Sequence, residues 1–243
     1  MKKHVGKEKG MKCLIIIPAF NEADGISKLI DDLKENYTQY DYVIVNDGST
    51  DSTKRLCREK NYNVINLPIN LGIGGAVQTG YKYARENDYD IAVQIDGDGQ
   101  HNPMYIEAML KRMEEENADI VIGSRFITKE GFQSSTMRRA GINLLSTLIK
   151  VCTGKRICDV TSGYRVVNKR FISIFSEDYS RDYPEPEAIV TAVMWGGKLI
   201  EVPVVMNERE TGTSSINWRK SFYYMIKVTL AIIVRRISYG VRR

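Results

Sequence analysis

The sequence predicts an α/β fold built on a doubly wound, mostly parallel sheet, and three observations carry that prediction. Short apolar runs recur through the first half of the chain, each ending abruptly in Pro, Gly, Asn or Asp. Between them lie stretches with apolar residues at helical spacing. Strand and helix patterns alternating in this way imply βαβ units, with helices covering both sheet faces. At 243 residues the chain suits one large domain, and its 43% apolar and 27% charged residues are ordinary for a globular protein.

The elements follow in order. Residues 13–17 (Cys-Leu-Ile-Ile-Ile) read as a buried strand stopped by Pro18, and residues 22–36 as a helix with Ile26, Leu29, Ile30 and Leu33 on one face. The second strand spans 42–45; turn-forming residues 46–50 and a short helix from about Asp51 come next. A third strand covers 64–67, and Gly72, Gly74 and Gly75 open a helix to about Glu86. Residues 91–95 form the fourth strand. Pro103 starts a helix where a missing N–H costs little, and 119–123 is the fifth strand. After Arg125 the rhythm breaks. A helix is expected over 134–153, with Ala140 or Gly141, Leu144 or Leu145, Leu148 and Cys152 on one face and Asn143, Ser146 and Lys150 elsewhere. Residues 157–168 read as turn and extended chain, 187–195 as a helix, 199–205 as a strand and 218–237 as an aromatic, basic helix.

Charge is uneven along the chain. The net charge is +5, yet residues 219–243 hold seven Lys or Arg and no acid, and the first ten residues are Lys-rich. Such ends suit an anionic surface. Four cysteines form neither a metal pattern nor a disulfide framework, which suits a reducing, cytosolic compartment. No N-terminal signal core and no run of 18 apolar residues is present, so no transmembrane helix is expected.

The chemistry concentrates in the run Val93-Gln94-Ile95-Asp96-Gly97-Asp98-Gly99-Gln100-His101, an apolar strand ending in two carboxylates one residue apart. Ligands bind at strand ends in open α/β sheets, and residues i and i+2 share a side of a strand. A hard divalent cation bridging phosphate oxygens fits Asp96 and Asp98. A calcium loop fails, because Gln100 and His101 occupy positions that need other residues. A phosphatase-type Asp-x-Asp-Gly would lie after the first strand and continue with Thr or Val, whereas this one follows the fourth and continues with Gln100. Gly72-Ile73-Gly74-Gly75 lacks the third glycine of a dinucleotide fingerprint. Arg138 and Arg139 sit near a helix start, where the dipole gives cations no help, and an anionic ligand or surface is one reason for them.

The strings IIIPAFNEADGI, VIVNDGSTDST, NLGIGGAVQTG, QIDGDGQHNP, VIGSRF, DVTSGYRVVNK and RETGTSS occur in the order seen in family-two glycosyltransferases. Across residues 11–215 the chain resembles the branch that makes dolichyl- or polyprenyl-phosphate sugars. The resemblance implies a glycosyltransferase A-type (GT-A) fold with the sugar nucleotide over the carboxyl ends of the first strands. It assigns the nucleotide-sugar site to Pro18, Phe20, Glu22, Val45, Asp47, Asp96, Gly97 and Arg125, with Asp47 reading the base edge. Many relatives carry Asp at Asn46. Asp96, Asp98 and Gln100 match the metal and diphosphate site, and their oxygen donors suit Mg²⁺ or Mn²⁺ rather than zinc. His101 reads as a loop residue rather than a ligand. Arg138, Arg139 and Ser214, with Ser215 beside it, match the acceptor-phosphate side; Asp98, Asp159 and Arg209 are the expected catalytic residues.

A hydroxyl acceptor would need a general base, but a phosphate monoester is largely dianionic at neutral pH. With a lipid phosphate, Asp159 would orient groups rather than take a proton. Glu185 and Glu187 are the other acidic candidates, Glu187 also suiting a helix start.

The expected activity is inverting, metal-dependent transfer of a hexose from a UDP- or GDP-linked donor to a polyprenyl phosphate at the cytoplasmic membrane face. Transfer to a glycan hydroxyl and a non-catalytic sugar-nucleotide-binding subunit are the alternatives. The expected organisation is a basic tail (1–10), a catalytic domain (11–215) with an interfacial helix at about 134–153, and a basic amphipathic C-terminal helix (216–243). These C-terminal amphipathic helices would hold the protein peripherally on the membrane, with a small integral membrane protein or a second copy as partner and no nucleic acid.

Overall fold

The structure, a computed structural model, describes residues 11–128, 130, 136–207 and 218–241. The basic tail, Arg209, Ser214, Ser215 and the Arg138 side chain lie outside the described residues. In chain order the elements are β1 (Cys13–Ala19), α1 (Ala23–Asn36), β2 (Asp41–Asn46), α2 (Thr53–Glu59), β3 (Val64–Asn66), α3 (Gly72–Glu86) and β4 (Ile91–Gln94). A 3-10 turn (Pro103–Tyr105) then runs into α4 (Ile106–Glu115). The remainder comprises β5 (Ile120–Ser124), α5 (Thr136–Thr153), β6 (Arg165–Asn168), α6 (Lys169–Glu177), α7 (Pro184–Met194), β7 (Leu199–Pro203) and α8 (Trp218–Val241).

The strands form one seven-stranded sheet in the order β3-β2-β1-β4-β6-β5-β7. β6 is antiparallel to both neighbours, and every other pairing is parallel. β1 is buried along its whole length, and its alternation feeds two cores. Leu14 and Ile16 join one apolar cluster with residues of α3, α5, α6, α7 and α8. Cys13, Ile15 and Ile17 join the other, with residues of α1, α2 and α4. Ile26, Leu29, Ile30 and Leu33 of α1 are all buried, each contributing about 2 kcal/mol by leaving water.

Four expectations are corrected by the structure. Pro18 does not stop β1. The Ile16 carbonyl accepts from Ile95 N–H and the Ala19 carbonyl from Asp47 N–H, so alternate residues bond opposite neighbours. Pro18 therefore faces the β4 side, where β4 has already ended at Gln94, and its missing N–H breaks no ladder bond. Helix α6 was not anticipated, although Asn168 caps it by accepting from Phe171 N–H at 3.1 Å and Phe171, Ile172 and Phe175 are buried. Helix α7 starts at Pro184 rather than Glu187, with a proline in its first turn. On α5 the buried stripe is Ile142, Leu145, Ser146 and Ile149, while Leu144 is 60% exposed. Ser146 is drawn inward because its hydroxyl donates to the Ile157 carbonyl. Apolar residues ring this helix, so spacing alone did not choose the inner face.

Helix α8 packs against α7 and α5 and buries Val228 and Ile232 in the same cluster as they do. Its Ile226, Leu230, Ile233, Val234 and Ile237 remain exposed.

Candidate active site

Parallel pairing brings the carboxyl ends of β1, β2 and β4 together, with Ala19 opposite Asn46 and Ile16 opposite Gln94. Pro18 and Val45 are register partners, both buried, while Phe20 at the next turn is 46% exposed and Glu22 is half-buried. The loops beyond are stitched across the gap. Asn21 adopts a left-handed backbone (φ 56°), and its Oδ1 accepts from Thr50 N–H at 2.8 Å and Asp51 N–H at 3.3 Å. Its own N–H donates to Ser49 Oγ at 3.0 Å, and Glu22 N–H donates to Thr53 Oγ1 at 3.1 Å.

Asp47 is buried, and its Oδ1 accepts from Leu71 N–H at 2.6 Å at the entry to α3. Its backbone carbonyl accepts from Asn70 Nδ2. Asn46 turns away: its amide donates to Asn66 at 2.7 Å and accepts from Ser49 N–H, so this residue shapes the turn.

Asp96 and Asp98 lie on the loop after β4. The Asp96 side chain is 31% exposed, and Asp98 is buried with its Oδ1 accepting from Gln100 N–H at 3.1 Å. His101, buried, accepts from Asp96 N–H through Nδ1 at 3.0 Å, which fixes the neutral tautomer with hydrogen on Nε2. Its ring stacks on Tyr164 at 5.1 Å, and Tyr164 donates to the Asn102 carbonyl. His101 is thus a post for the carboxylate loop. Gly163 lies directly beneath: a Cβ there would sit 3.2 Å from both Asp96 carboxylate oxygens. Gly25 lets α1 approach from the other side, since a Cβ there would fall 2.4 Å from the Gly97 carbonyl. Asn207 closes the loop by bonding backbone-to-backbone with Gln100 and donating to the Gly99 carbonyl.

This donor set fits a hard divalent cation. Asp96, Asp98 and Gln100 all offer oxygen, and among the described residues no cluster of three His, Cys, Asp or Glu forms a self-contained cage. One or two carboxylates completed by substrate phosphates is the coordination Mg²⁺ favours.

On the β5–β6 side, Arg125 and Asp159 form a buried pair. Arg125 Nε and Nη2 each lie 2.7 Å from a different Asp159 oxygen, and Arg125 N–H adds a third bond at 3.1 Å. Arg125 also donates to Thr161 Oγ1. Glu201 of β7 pins the loop by accepting from Cys158 and Asp159 N–H, both at 2.8 Å. Beside the pair, the Arg139 guanidinium lies 3.6 Å from the Phe126 ring centre. Glu187 is buried and accepts from Ser180 Oγ at 2.7 Å. Burial raises the Glu185 carboxyl above its ordinary range; the Asp96 charge adds to that rise and buried Arg165 opposes it.

The structure therefore gathers Pro18, Phe20, Glu22, Val45 and Asp47 on paired strand ends, with Asp96, Gly97, Asp98 and Gln100 on the next loop. It sets Arg125, Asp159 and Arg139 together on the other half. Sequence reasoning missed Asn21, Asn207, Glu201 and Phe126, and gave His101 no task. Asn21 was signalled only by being an asparagine between a strand and a helix, and Glu201 by being an acid inside an apolar strand.

A mostly parallel sheet with oxygen donors and stitched loops at its carboxyl edge defines an α/β protein whose ligand site lies at that edge. The chain belongs to glycosyl transferase family 2, whose family model matches residues 14–175, and it is a glycosyltransferase with the GT-A fold. It is 27% identical to an undecaprenyl-phosphate mannosyltransferase of Micrococcus luteus, covering 85% of this chain and 88% of that one. It is 30% identical to a UDP-N-acetylglucosamine–dolichyl-phosphate N-acetylglucosaminyltransferase of Methanococcus voltae, covering 90% and 97%. Glucosyl-3-phosphoglycerate synthase from Mycobacterium tuberculosis, solved with Mn²⁺, UDP-glucose and phosphoglyceric acid, shares the fold at a TM-score of 0.70 and 17% identity, covering 93% and 80%.

Proposed function

We propose that this glycosyltransferase moves a hexose, with inversion, from a nucleotide-diphosphate sugar to a polyprenyl phosphate at the cytoplasmic membrane face. The observation that carries this reading is the state of Asp159. It is completely buried, and its carboxylate is occupied by the Arg125 fork and backbone N–H. It cannot reach out to take a proton, and a phosphate dianion needs none taken. In this reading Asp159 orients Arg125 beside the donor nucleotide sugar, while Arg139, Arg138 and Ser214 meet the acceptor phosphate.

On the donor half, Asp47 would accept the base imide N–H between the Phe20 and Asp47 loops, and Pro18, Glu22, Val45 and Gly97 would line the nucleotide. Asp96, Asp98 and Gln100 would hold Mg²⁺ or Mn²⁺. When bound, such an ion supplies positive charge to the departing nucleoside diphosphate, and Arg209 adds to it. The undecaprenyl- and dolichyl-phosphate acceptors named for the relatives support the acceptor class.

Membrane contact would run through α5 and α8. Leu144, Val151, Leu230, Val234 and Ile237 are all more than half exposed on them, with Lys150 and Arg236 exposed nearby. No helix among the described residues is long and apolar enough to cross a membrane, so the contact proposed is peripheral, directly or through a small integral membrane protein. A second copy on the same face is the remaining partner.

One observation favours a second reading, transfer to a glycan hydroxyl. Glu185, whose backbone carbonyl accepts from buried Arg165, has its carboxyl raised by burial and would serve as general base. Incubation with undecaprenyl phosphate, Mn²⁺ and separate UDP- and GDP-sugars tests the two. The first reading requires acid-labile sugar in the lipid phase; product formed only as an acid-stable glycoside overturns it.

A further inference from the structure

Two guanidinium groups share one aromatic ring at the acceptor side. Arg139 lies 3.6 Å from the centre of Phe126, and Arg125 lies 5.0 Å from it. Their situations differ. Arg125 spends its fork on Asp159 and Thr161, deep in the fold. Arg139 is half-buried, and among the described residues no carboxylate pairs with it. It extends from the first turns of α5, where the helix dipole does not favour a cation.

We propose that Phe126 is the positioning residue that presents Arg139 to the acceptor phosphate. The proposal rests on the acceptor-phosphate reading of Arg139 given above. An aromatic face attracts a guanidinium through its quadrupole. The five N–H donors lie around the rim of the guanidinium plane, so contact through its face leaves them available to phosphate oxygens. The ring is itself fixed. Phe126 is buried in the apolar cluster shared by α5 and α7, and the Arg125–Asp159 frame anchors the residue immediately before it. A long flexible cation held in this way loses less freedom when the lipid phosphate arrives. Phe126 touches no reacting atom; it acts through Arg139.

The test is a double-mutant cycle on the full chain, with undecaprenyl phosphate in detergent as the acceptor. Phe126→Leu should lower kcat/KM for the lipid phosphate by roughly 5- to 30-fold and leave donor-nucleotide affinity unchanged. In an Arg139→Ala background the same change should cost nothing further. Full cost of Phe126→Leu in that background, or an equal fall in donor affinity, makes the ring ordinary core packing and overturns the proposal. If Arg139→Ala leaves acceptor kinetics unaltered, the acceptor-phosphate reading of Arg139 fails, and the positioning role falls with it. Should Phe126→Leu not fold, trifluorophenylalanine at position 126 keeps the ring's shape and depletes its face of charge. A loss confined to acceptor kinetics then supports the proposal, and unchanged kinetics overturn it.

Discussion

The two halves of the site are held by different physics. On the half proposed to hold the donor, loops after β1, β2 and β4 are tied by hydrogen bonds between side chains and backbone, through Asn21, Asp47, Asn46 and His101. Phe20 and Asp96 there stay partly exposed. On the other half, which carries the proposed acceptor residue Arg139, one ion pair, Arg125–Asp159, is buried to 6% and 0% side-chain exposure and saturated with hydrogen bonds. Each donor tie is worth about 1 kcal/mol, whereas removing one member of a buried pair costs several. The β1–β2–β4 edge is thus held by separate small ties, and the β5–β6 edge is a rigid frame whose charges are largely spent on each other.

That contrast can be broken at four points. The largest effect is expected at Asp98: Asp98→Ala should lower transfer by about 10³-fold or more while circular dichroism still reports a folded chain. Activity near wild type would remove the metal from the proposed chemistry. Asp159→Ala should act first on the fold, costing about 3–5 kcal/mol in a urea titration, because it strands the buried Arg125 charge. An unshifted midpoint would show that the pair frames nothing.

Asn21 sharpens the donor side. Asn21→Gly tolerates φ 56° but loses the Oδ1 acceptor, and should raise the donor KM by about 5- to 10-fold with kcat little changed. Asn21→Asp keeps the acceptor and should stay near wild type; equal behaviour of the two variants would deny the clip. The smallest effect concerns Glu185. Its folded-state pKa is raised above the ordinary 4.5, so its protonation stabilises the fold at low pH, and that stability is lost as pH rises through the raised value. Glu185→Gln carries no such charge and should gain melting temperature relative to wild type between pH 4 and pH 8. A constant difference across that range would mean the carboxyl ionises freely.

Much of the donor half was legible in the amino-acid order. Period-two burial in β1, the 3.6 period of α1 and the abrupt carboxylates after β4 are local patterns set by neighbouring residues. Less of the acceptor half was legible. Helix α6 was not anticipated, although its Asn168 cap and its apolar face of Phe171, Ile172 and Phe175 are both local signals. The inner face of α5 was misassigned because apolar side chains surround it, and only the Ile157 carbonyl and the sheet decide which side turns in.

The sequence by itself determined the mostly parallel α/β plan and the family, and it pointed to Asp96, Asp98 and Gln100 as oxygen donors, since these rest on residue type and short spacing. Tertiary structure decided which charges are available. Arg125 and Asp159 are 34 residues apart, Asp47 meets Leu71 across 24 residues, and Arg139 finds Phe126 from another element. Whether a charged group is spent or open depends on partners and solvent brought to it by folding, and no local pattern records that.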